Sequence, residues 1–295
     1  MAKKSGFKAI VYVILIAIAL GGGYVGYKAV AEPAPPAYAD SITIASFNMQ
    51  AFGQSKANKS EVVGAIASII RNYDIIAVQE IRDAEGTAFP KLVDEVNSMP
   101  GARYDYVIGE RLGSTSSKEQ YAFLYNTNKV AFLRDSNYTY NGTGFERPPL
   151  LAKFYASGFS FVLADVHTKP ENAASEVGLL AGVVADAKQR FAGEDDFIVV
   201  GDYNADCSYM SAGELATSPF RAAEFTWVVK DDVDTTVKST DCAYDRIVLT
   251  DASDYAGEYG VYRFDQALLL NQTQAEAVSD HYPVWAKFYT GRDKN

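Results

Sequence analysis

Short apolar runs that stop on a polar residue constrain this chain more than any other feature. Residues 197–201, FIVVG, are apolar and rich in β-branched side chains; the run ends on Asp202, with Asn204 two residues on. The pattern recurs: IASF ends on Asn48, IIAVQ on Glu80 and VLADV on His167. DRIVL starts on Asp245, DHYPVW starts on Asp280 and His281, and Glu119 stands just ahead of YAFLY. Continuous apolar runs of this length read as strands buried on both faces. Strands of that kind need a covered sheet, and their polar ends can converge on one rim.

Taken singly, each polar end has an ordinary explanation. Asp, Asn and Gly after a strand are turn formers, because short side chains bond the local backbone. Together they carry more weight. The chain has two histidines, and both sit at such ends. Carboxylates and an asparagine supply hard oxygen ligands, suited to Mg²⁺, Ca²⁺ or Mn²⁺ rather than zinc. Two imidazoles beside carboxylates supply an acid and a base that titrate near neutrality. That combination fits hydrolysis of a phosphodiester, which needs charge stabilised on phosphoryl oxygens and a proton delivered to the leaving oxygen.

The rest of the pattern mixes strands and helices without strict alternation. Residues 41–48, 74–80 and 160–167 read as strands, and residues 121–126 and 129–133 as a hairpin. Residues 58–73 read as a helix, with Asn58 and Glu61 placed like a capping box and Val62, Ile66, Ile69, Ile70 and Tyr73 on its apolar face. A second helix follows Pro170, with Val177, Leu180, Val184 and Phe191 on one face and Gly193 beyond its end. Many strands with a few long helices predict an α+β sandwich, two packed β-sheets flanked by helices. With 295 residues, 48% of them hydrophobic, the chain is large enough for one such core.

Formal charge is −10. Four of the 27 basic residues and none of the 37 acidic ones fall in residues 1–31, so the remainder carries −14. A body this acidic argues against a broad basic surface for nucleic acid, but not against a small cleft that meets phosphates through metal ions. Lys3, Lys4 and Lys8 precede an uncharged run over residues 9–27, which as a helix spans about 28 Å. Residues 1–31 therefore read as a signal or signal-anchor segment, residues 32–40 as a proline-rich spacer, and residues 41–290 as the body. The expected location is extracytoplasmic, either anchored in the membrane or secreted after cleavage. The two cysteines, Cys207 and Cys242, read either as separate buried thiols or, outside the cytosol, as a disulfide.

The segments FNMQAFG, IIAVQEIRD, KEQYAFLY, GDYNADCSY, DTTVKSTDCAYDRIV and SDHYPV resemble, in order, those of deoxyribonuclease I in the endonuclease/exonuclease/phosphatase superfamily. The resemblance runs from Ile42 to Phe288 and implies a four-layer fold with the active site at one rim. It implies that Glu80 and Asn48 hold the metal, that Glu119 pairs with His167, and that Asp245 pairs with His281. Asp202, Asn204 and Asp280 match residues that hold metal or the scissile phosphate. One histidine would activate water and the other protonate the leaving 3′ oxygen; His281 as base and His167 as acid is the first assignment, and the reverse stays open. Arg82, Arg147, Tyr244 and Thr240 match substrate contacts, and Cys207–Cys242 matches the family's disulfide. Asp234 matches a structural calcium loop, in which Lys238 stands where a small hydroxyl residue is expected. The implied cofactor is Mg²⁺ or Mn²⁺, with Ca²⁺ in that loop, and the implied partner is DNA, cut by a monomeric body.

The chain departs from the resemblance at residues 114–117, where Ser-Thr-Ser-Ser replaces an arginine and a tyrosine that enter the DNA minor groove. Asp165 shares a strand face with His167 and has no counterpart in this scheme. The leading expectation is an endonuclease with little sequence preference that leaves 5′-phosphate ends. Two alternatives stand beside it: a sphingomyelinase-like phosphodiesterase acting on phospholipid headgroups, and a membrane-tethered module without catalysis.

Overall fold

The computed structural model describes residues 41–293. The apolar segment 1–31 and the spacer 32–40 lie outside the described residues. Among those described, no helix is long and apolar enough to cross a membrane.

The strands are β1 (Ser41–Phe52), β2 (Ile75–Ile81), β3 (Tyr104–Ile108), β4 (Gln120–Asn126), β5 (Ala131–Phe132), β6 (Tyr138–Thr139), β7 (Leu150–Ala156), β8 (Phe159–His167), β9 (Phe197–Asp202), β10 (Thr226–Trp227), β11 (Asp245–Leu249), β12 (Tyr255–Val261) and β13 (Val284–Tyr289). The helices are α1 (Gln54–Ala57), α2 (Ser60–Ile70), α3 (Ala88–Ser98), α4 (Ala173–Arg190), α5 (Ala212–Thr217), α6 (Phe264–Ala267) and α7 (Gln272–Val278). One sheet has the order β12-β13-β1-β2-β4-β3; the other has β10-β11-β9-β8-β7-β5, with β6 paired to β7. The parallel pairs β1/β2 and β8/β9 are joined by helical crossovers, as parallel neighbours require.

Ile44, Ile75, Phe123, Phe161, Leu163, Val200 and Phe288 fill the space between the sheets. Val62, Ile66 and Ile69 of α2, Leu92 and Val96 of α3 and Val278 of α7 cover the outer face of the first sheet. Val177, Leu180, Val183 and Val184 of α4 cover the outer face of the second. Covering both faces of both sheets explains why the strands read as unbroken apolar runs. The result is the expected four-layer sandwich, in which each large buried side chain contributes about 1.5–3 kcal/mol.

Two local expectations fail. Residues 121–126 and 129–133 do not form a hairpin: β4 pairs with β2 and β3, whereas β5 pairs with β7 in the opposite sheet. The chain crosses between layers because Phe132 packs on Phe154 of β7, with ring centroids 5.6 Å apart. Asn58 and Glu61 form no capping box. Asn58 closes α1 through its N–H to the Gln54 carbonyl, and Lys59 precedes α2 without a side-chain cap.

Register already assembles part of a site. On the parallel pair β8/β9, His167 lies beside Asp202; on the antiparallel pair β9/β11, Asp202 lies beside Asp245. The close approach of β8 and β9 depends on Gly201, at φ +143°, where a Cβ would lie 1.9 Å from the Val166 carbonyl oxygen. Only glycine fits there.

Candidate active site

Asp202 is the hub. Its Oδ2 accepts from Asn48 Nδ2 at 3.1 Å and lies 3.6 Å from Nε2 of both His167 and His281. The imidazoles arrive from different sheets: His167 ends β8, and His281 precedes β13. Each is gripped from behind at Nδ1, His167 by Glu119 Oε2 and His281 by Asp245 Oδ2, both at 2.8 Å. A carboxylate at Nδ1 fixes the tautomer and ring plane and leaves Nε2 free for chemistry. Both dyads that the sequence pairs thus share one oxygen.

The carboxyls of the two dyads differ in electrostatics: burial pushes Asp245 above its ordinary value, and Glu119 goes the other way. Burial would raise the pKa of Glu119, but His167, Arg147 and Arg82 outweigh it and hold the carboxyl below its ordinary value. Burial would lower the pKa of His281; Asp245, Asp202 and Asp280 outweigh it and raise it to about 10.

Glu80 stands at a strained corner. Regular pairing of β1 with β2 stops at Asn48 and resumes at Phe52, so β1 continues past its expected end through a bulge. Gln50, Ala51 and Glu80 all have positive φ, as do Asn204 and Cys207; these are five of the eight such non-glycine residues among those described. Strain of this kind persists where surrounding contacts enforce it, and it gathers at functional sites. Here Ala51 N–H donates to Glu80 Oε2 at 2.8 Å and Gln50 N–H to Asn48 Oδ1 at 2.9 Å. Lys56 pins the bulge by donating to the carbonyls of Met49, Gln50 and Val278. Asn48 consequently turns its amide nitrogen, not its oxygen, toward Glu80 and Asp202. It presents a donor that holds carboxylates rather than the oxygen ligand expected from sequence.

Both arginines expected to touch substrate face inward. Arg82 Nη2 lies 2.8 Å from Glu80 Oε2 and 2.8 Å from Glu119 Oε1, while about a third of its side chain stays exposed. Arg147 spends its whole fork inside, on Glu119 and on the carbonyls of His167 and Thr168. It braces the His167 dyad, since a buried guanidinium needs every donor matched. Asn204 N–H donates to Asp202 Oδ1 and its amide to the Thr168 carbonyl. Asp280 pairs with Lys238 at 3.1 Å and lies 3.9 Å from His281 Nε2. The Tyr244 ring lies 6.1 Å from that of His281 and 5.4 Å from that of Tyr209.

Asp234 and Thr240 lie in the loop whose Thr236 bridges to His281. Asp234 accepts from the N–H and hydroxyl of Thr236 and faces Arg263 at 3.4 Å. Thr240, exposed, donates to the Thr236 hydroxyl. The loop makes its own hydrogen bonds, and among the described residues Asp234 belongs to no group of three or more converging His, Cys, Asp or Glu ligands. Lys238 points to Asp280 instead of into the loop. Cys207 and Cys242 are bonded, with Cα atoms 5.9 Å apart, and tie the segment after β9 to the one before β11.

Sequence reasoning missed the braces: Lys56, Tyr121 and Ser279. Tyr121 accepts from His167 N–H, and Ser279 joins the Asn48 carbonyl to His281 N–H. Their signal is faint, because each acts through backbone groups that only the fold brings near. Asp165 finds its explanation in the layer below the site. It accepts from Gln79 Nε2 at 2.5 Å, Gln79 also donates to the Ser46 hydroxyl, and burial pushes the Asp165 carboxyl well above its ordinary range.

The donor set fits a hard divalent cation. Glu119 has two arginines, Asp280 has Lys238, and Asp245 has His281; Asp202 has no Lys or Arg at ion-pair distance among the described residues. One oxygen each of Asp202 and Asp245 and one His281 ring nitrogen lie within 4.8 Å of one another, and the buried Oδ1 of Asp245 has no partner. Carboxylate oxygens in excess, without thiolates, match the preference of Mg²⁺, Mn²⁺ or Ca²⁺.

Residues 45–281 match the Endonuclease/Exonuclease/phosphatase family. The chain is 36% identical over 257 residues to Deoxyribonuclease-1 of Bos taurus, covering 83% of this chain and 91% of that one. It is 38% identical over 271 residues to Deoxyribonuclease gamma of Homo sapiens, covering 85% and 87%. Among solved structures, D. rerio TDP2 complexed with single strand DNA product superposes with a TM-score of 0.62 at 19% identity, covering 85% of this chain and 100% of that one, a likeness of fold alone. With its paired dyads, its order of motifs and these relatives, the chain belongs to the endonuclease/exonuclease/phosphatase family and is deoxyribonuclease I-like.

Proposed function

We propose that the protein is a divalent-metal-dependent endonuclease that hydrolyses DNA phosphodiester bonds with little sequence preference and leaves 5′-phosphate ends. One observation carries the reading: two carboxylate-backed imidazoles each place Nε2 3.6 Å from a single Asp202 oxygen. A phosphate entering there meets two proton-transfer groups at once, one to take a proton from water and one to give a proton to the leaving 3′ oxygen. Glu80 and Asp202, whose oxygens both lie 3.1 Å from Asn48 Nδ2, would hold the cation, with Asp280 beside His281, and Asn48 would hold Glu80. Bound there, Mg²⁺ or Mn²⁺ would stabilise charge on the phosphoryl oxygens. The exposed edge of Arg82, with Tyr244 and Thr240, would meet the substrate backbone. The names of the relatives support DNA as substrate. The bonded cysteines and the N-terminal apolar sequence support an extracytoplasmic location.

The test is nicking of supercoiled plasmid, run beside sphingomyelin vesicles, with Mg²⁺ or with chelator. Plasmid nicking that is lost in chelator and falls ~10²–10⁴-fold in both His167→Ala and His281→Ala is the expected result. Cleavage of the lipid with the plasmid left intact would overturn it. A substrate with sulfur at the 3′ bridging position assigns the roles, because a thiolate leaves without a proton. The variant lacking the acid regains activity on it; the variant lacking the base does not.

A further inference from the structure

Below the active site lies a buried polar link between the two sheets that the chemistry above it does not use. Gln79 of β2 donates from Nε2 to the Ser46 hydroxyl of β1 at 3.0 Å and to Asp165 Oδ1 of β8 at 2.5 Å, and all three side chains are fully buried. β1 and β2 belong to one sheet and β8 to the other, so the Asp165 bond crosses between the sheets. Each member stands one or two residues before a group of the site: Ser46 before Asn48, Gln79 before Glu80, and Asp165 before His167. Those three groups meet in the site, where Glu80 Oε1 lies 3.9 Å from His167 Nε2 and 3.1 Å from Asn48 Nδ2.

Two atoms define the chemistry of the link. Gln79 Oε1 and Asp165 Oδ2 are buried oxygens without a hydrogen-bond partner. A proton on Oδ2 meets both needs, because the carboxyl becomes a donor and the Gln79 carbonyl is the acceptor left open. Acid and amide then pair through two hydrogen bonds, N–H to carboxyl oxygen and O–H to amide oxygen. An ionised Asp165 would instead be a buried charge without a counter-ion, which is costly. Burial raises this carboxyl, outweighing the Gln79 amide and the Val166 N–H, with no cationic neighbour opposing it among the described residues. Tyr121 and Tyr203, which its charge would reach, are themselves held neutral by burial.

We propose that Gln79 and an uncharged Asp165 form a two-bond latch between the sheets, a positioning pair that sets Glu80 against His167. The roles of Glu80 and His167 rest on the nuclease reading; the latch itself is a property of the folded chain. Apolar packing between the sheets has no direction, whereas hydrogen bonds do, so the latch fixes the offset of β2 against β8.

Three measurements on the full chain test it: plasmid nicking at saturating Mg²⁺, urea unfolding, and the imidazole NMR spectrum, which has one set of signals for each of the two histidines. Leucine nearly matches aspartate in shape without its hydrogen bonds. Asp165→Leu is expected to lower kcat ~10- to 100-fold with KM for DNA unchanged, and to displace the His167 signals. It also leaves the Gln79 amide underpaired and lowers the urea midpoint. Asp165→Asn keeps an oxygen for Gln79 Nε2 and supplies an N–H for Oε1, so it is expected to recover most of the rate and the His167 signals. The double variant Gln79→Met with Asp165→Leu replaces both partners by apolar groups, and is expected to regain the midpoint but not the rate. Should Asp165→Leu fail to fold, the double variant decides. Wild-type kcat in Asp165→Leu, rate recovered along with midpoint in the double variant, or Asp165→Asn as slow as Asp165→Leu overturns the latch. A wild type that nicks nothing overturns the nuclease reading instead; the His167 signals, displaced by leucine and restored by asparagine or not, then decide the latch alone.

Discussion

Replacing Glu119 by glutamine tests whether this residue acts through His167. The Glu119 side chain is 3% exposed and contacts His167 Nδ1 at 2.8 Å, Arg82 at 2.8 Å and Arg147 at 3.4 Å. Glutamine cannot satisfy all three. With its oxygen toward His167, its amide meets two guanidinium donors; with the amide toward His167, the imidazole is pushed into the wrong tautomer. The charge that stabilises the imidazolium is lost in either case. Exchanging a charge-assisted hydrogen bond for a neutral one costs about 1–1.5 kcal/mol, and leaving a buried guanidinium underpaired adds roughly as much again. At 1.36 kcal/mol per tenfold, a total of about 2–3 kcal/mol predicts a roughly 30- to 160-fold loss of initial rate. The assay is plasmid nicking at saturating Mg²⁺ by wild type, Glu119→Gln, His167→Ala and the double variant, each checked for folding by its melting temperature. If Glu119 works through His167, the double variant nicks as slowly as His167→Ala alone. If Glu119→Gln slows His167→Ala by the same factor as it slows wild type, the two residues act independently and the dyad reasoning is refuted.

Three further outcomes follow from the structure. Gly201→Ala places a methyl 1.9 Å from the Val166 carbonyl at φ +143°, so it is expected to destabilise the fold by more than about 4 kcal/mol, read as failure to fold or a large drop in urea midpoint. Cys207→Ser opens a loop of 35 residues and is expected to cost about 3–4 kcal/mol, measured by urea unfolding, with reductant producing the same loss in wild type. Asp83 accepts from the N–H groups of Glu85, Thr87 and Ala88 and from Gln54 at the start of α3. Burial opposes its charge, but these bonds outweigh burial and lower its pKa, so Asp83→Ala is expected to cost about 2 kcal/mol at neutral pH. Since the folded pKa is the depressed one, that contribution is complete above the ordinary carboxylate pKa of ~4 and is lost as pH falls through the folded value. The gap between wild type and variant should close in acid, and a gap independent of pH would contradict the capping role.

The rim positions of the candidate site residues were legible before the fold because a rigid strand delivers its last residue to a defined place. Once residues 197–201 read as a buried strand, Asp202 had to stand at a rim, and the same held for Glu80, His167, Asp245 and His281. Apolar patterning fixes which face is buried, and that determined the layers and helices such as α2 from local sequence alone. Tertiary structure decided what each polar group touches. Asn48 faces the site through its nitrogen because a bulge held by Lys56 occupies its oxygen. Arg147 braces Glu119 instead of reaching outward because the His167 and Thr168 carbonyls claim the rest of its fork. β5 leaves β4 for the other sheet because Phe132 finds its partner there. Hydrophobic periodicity is local and survives in one dimension. Hydrogen-bond partners and charge neighbours are set by distances across the packed chain, which no stretch of residues contains by itself.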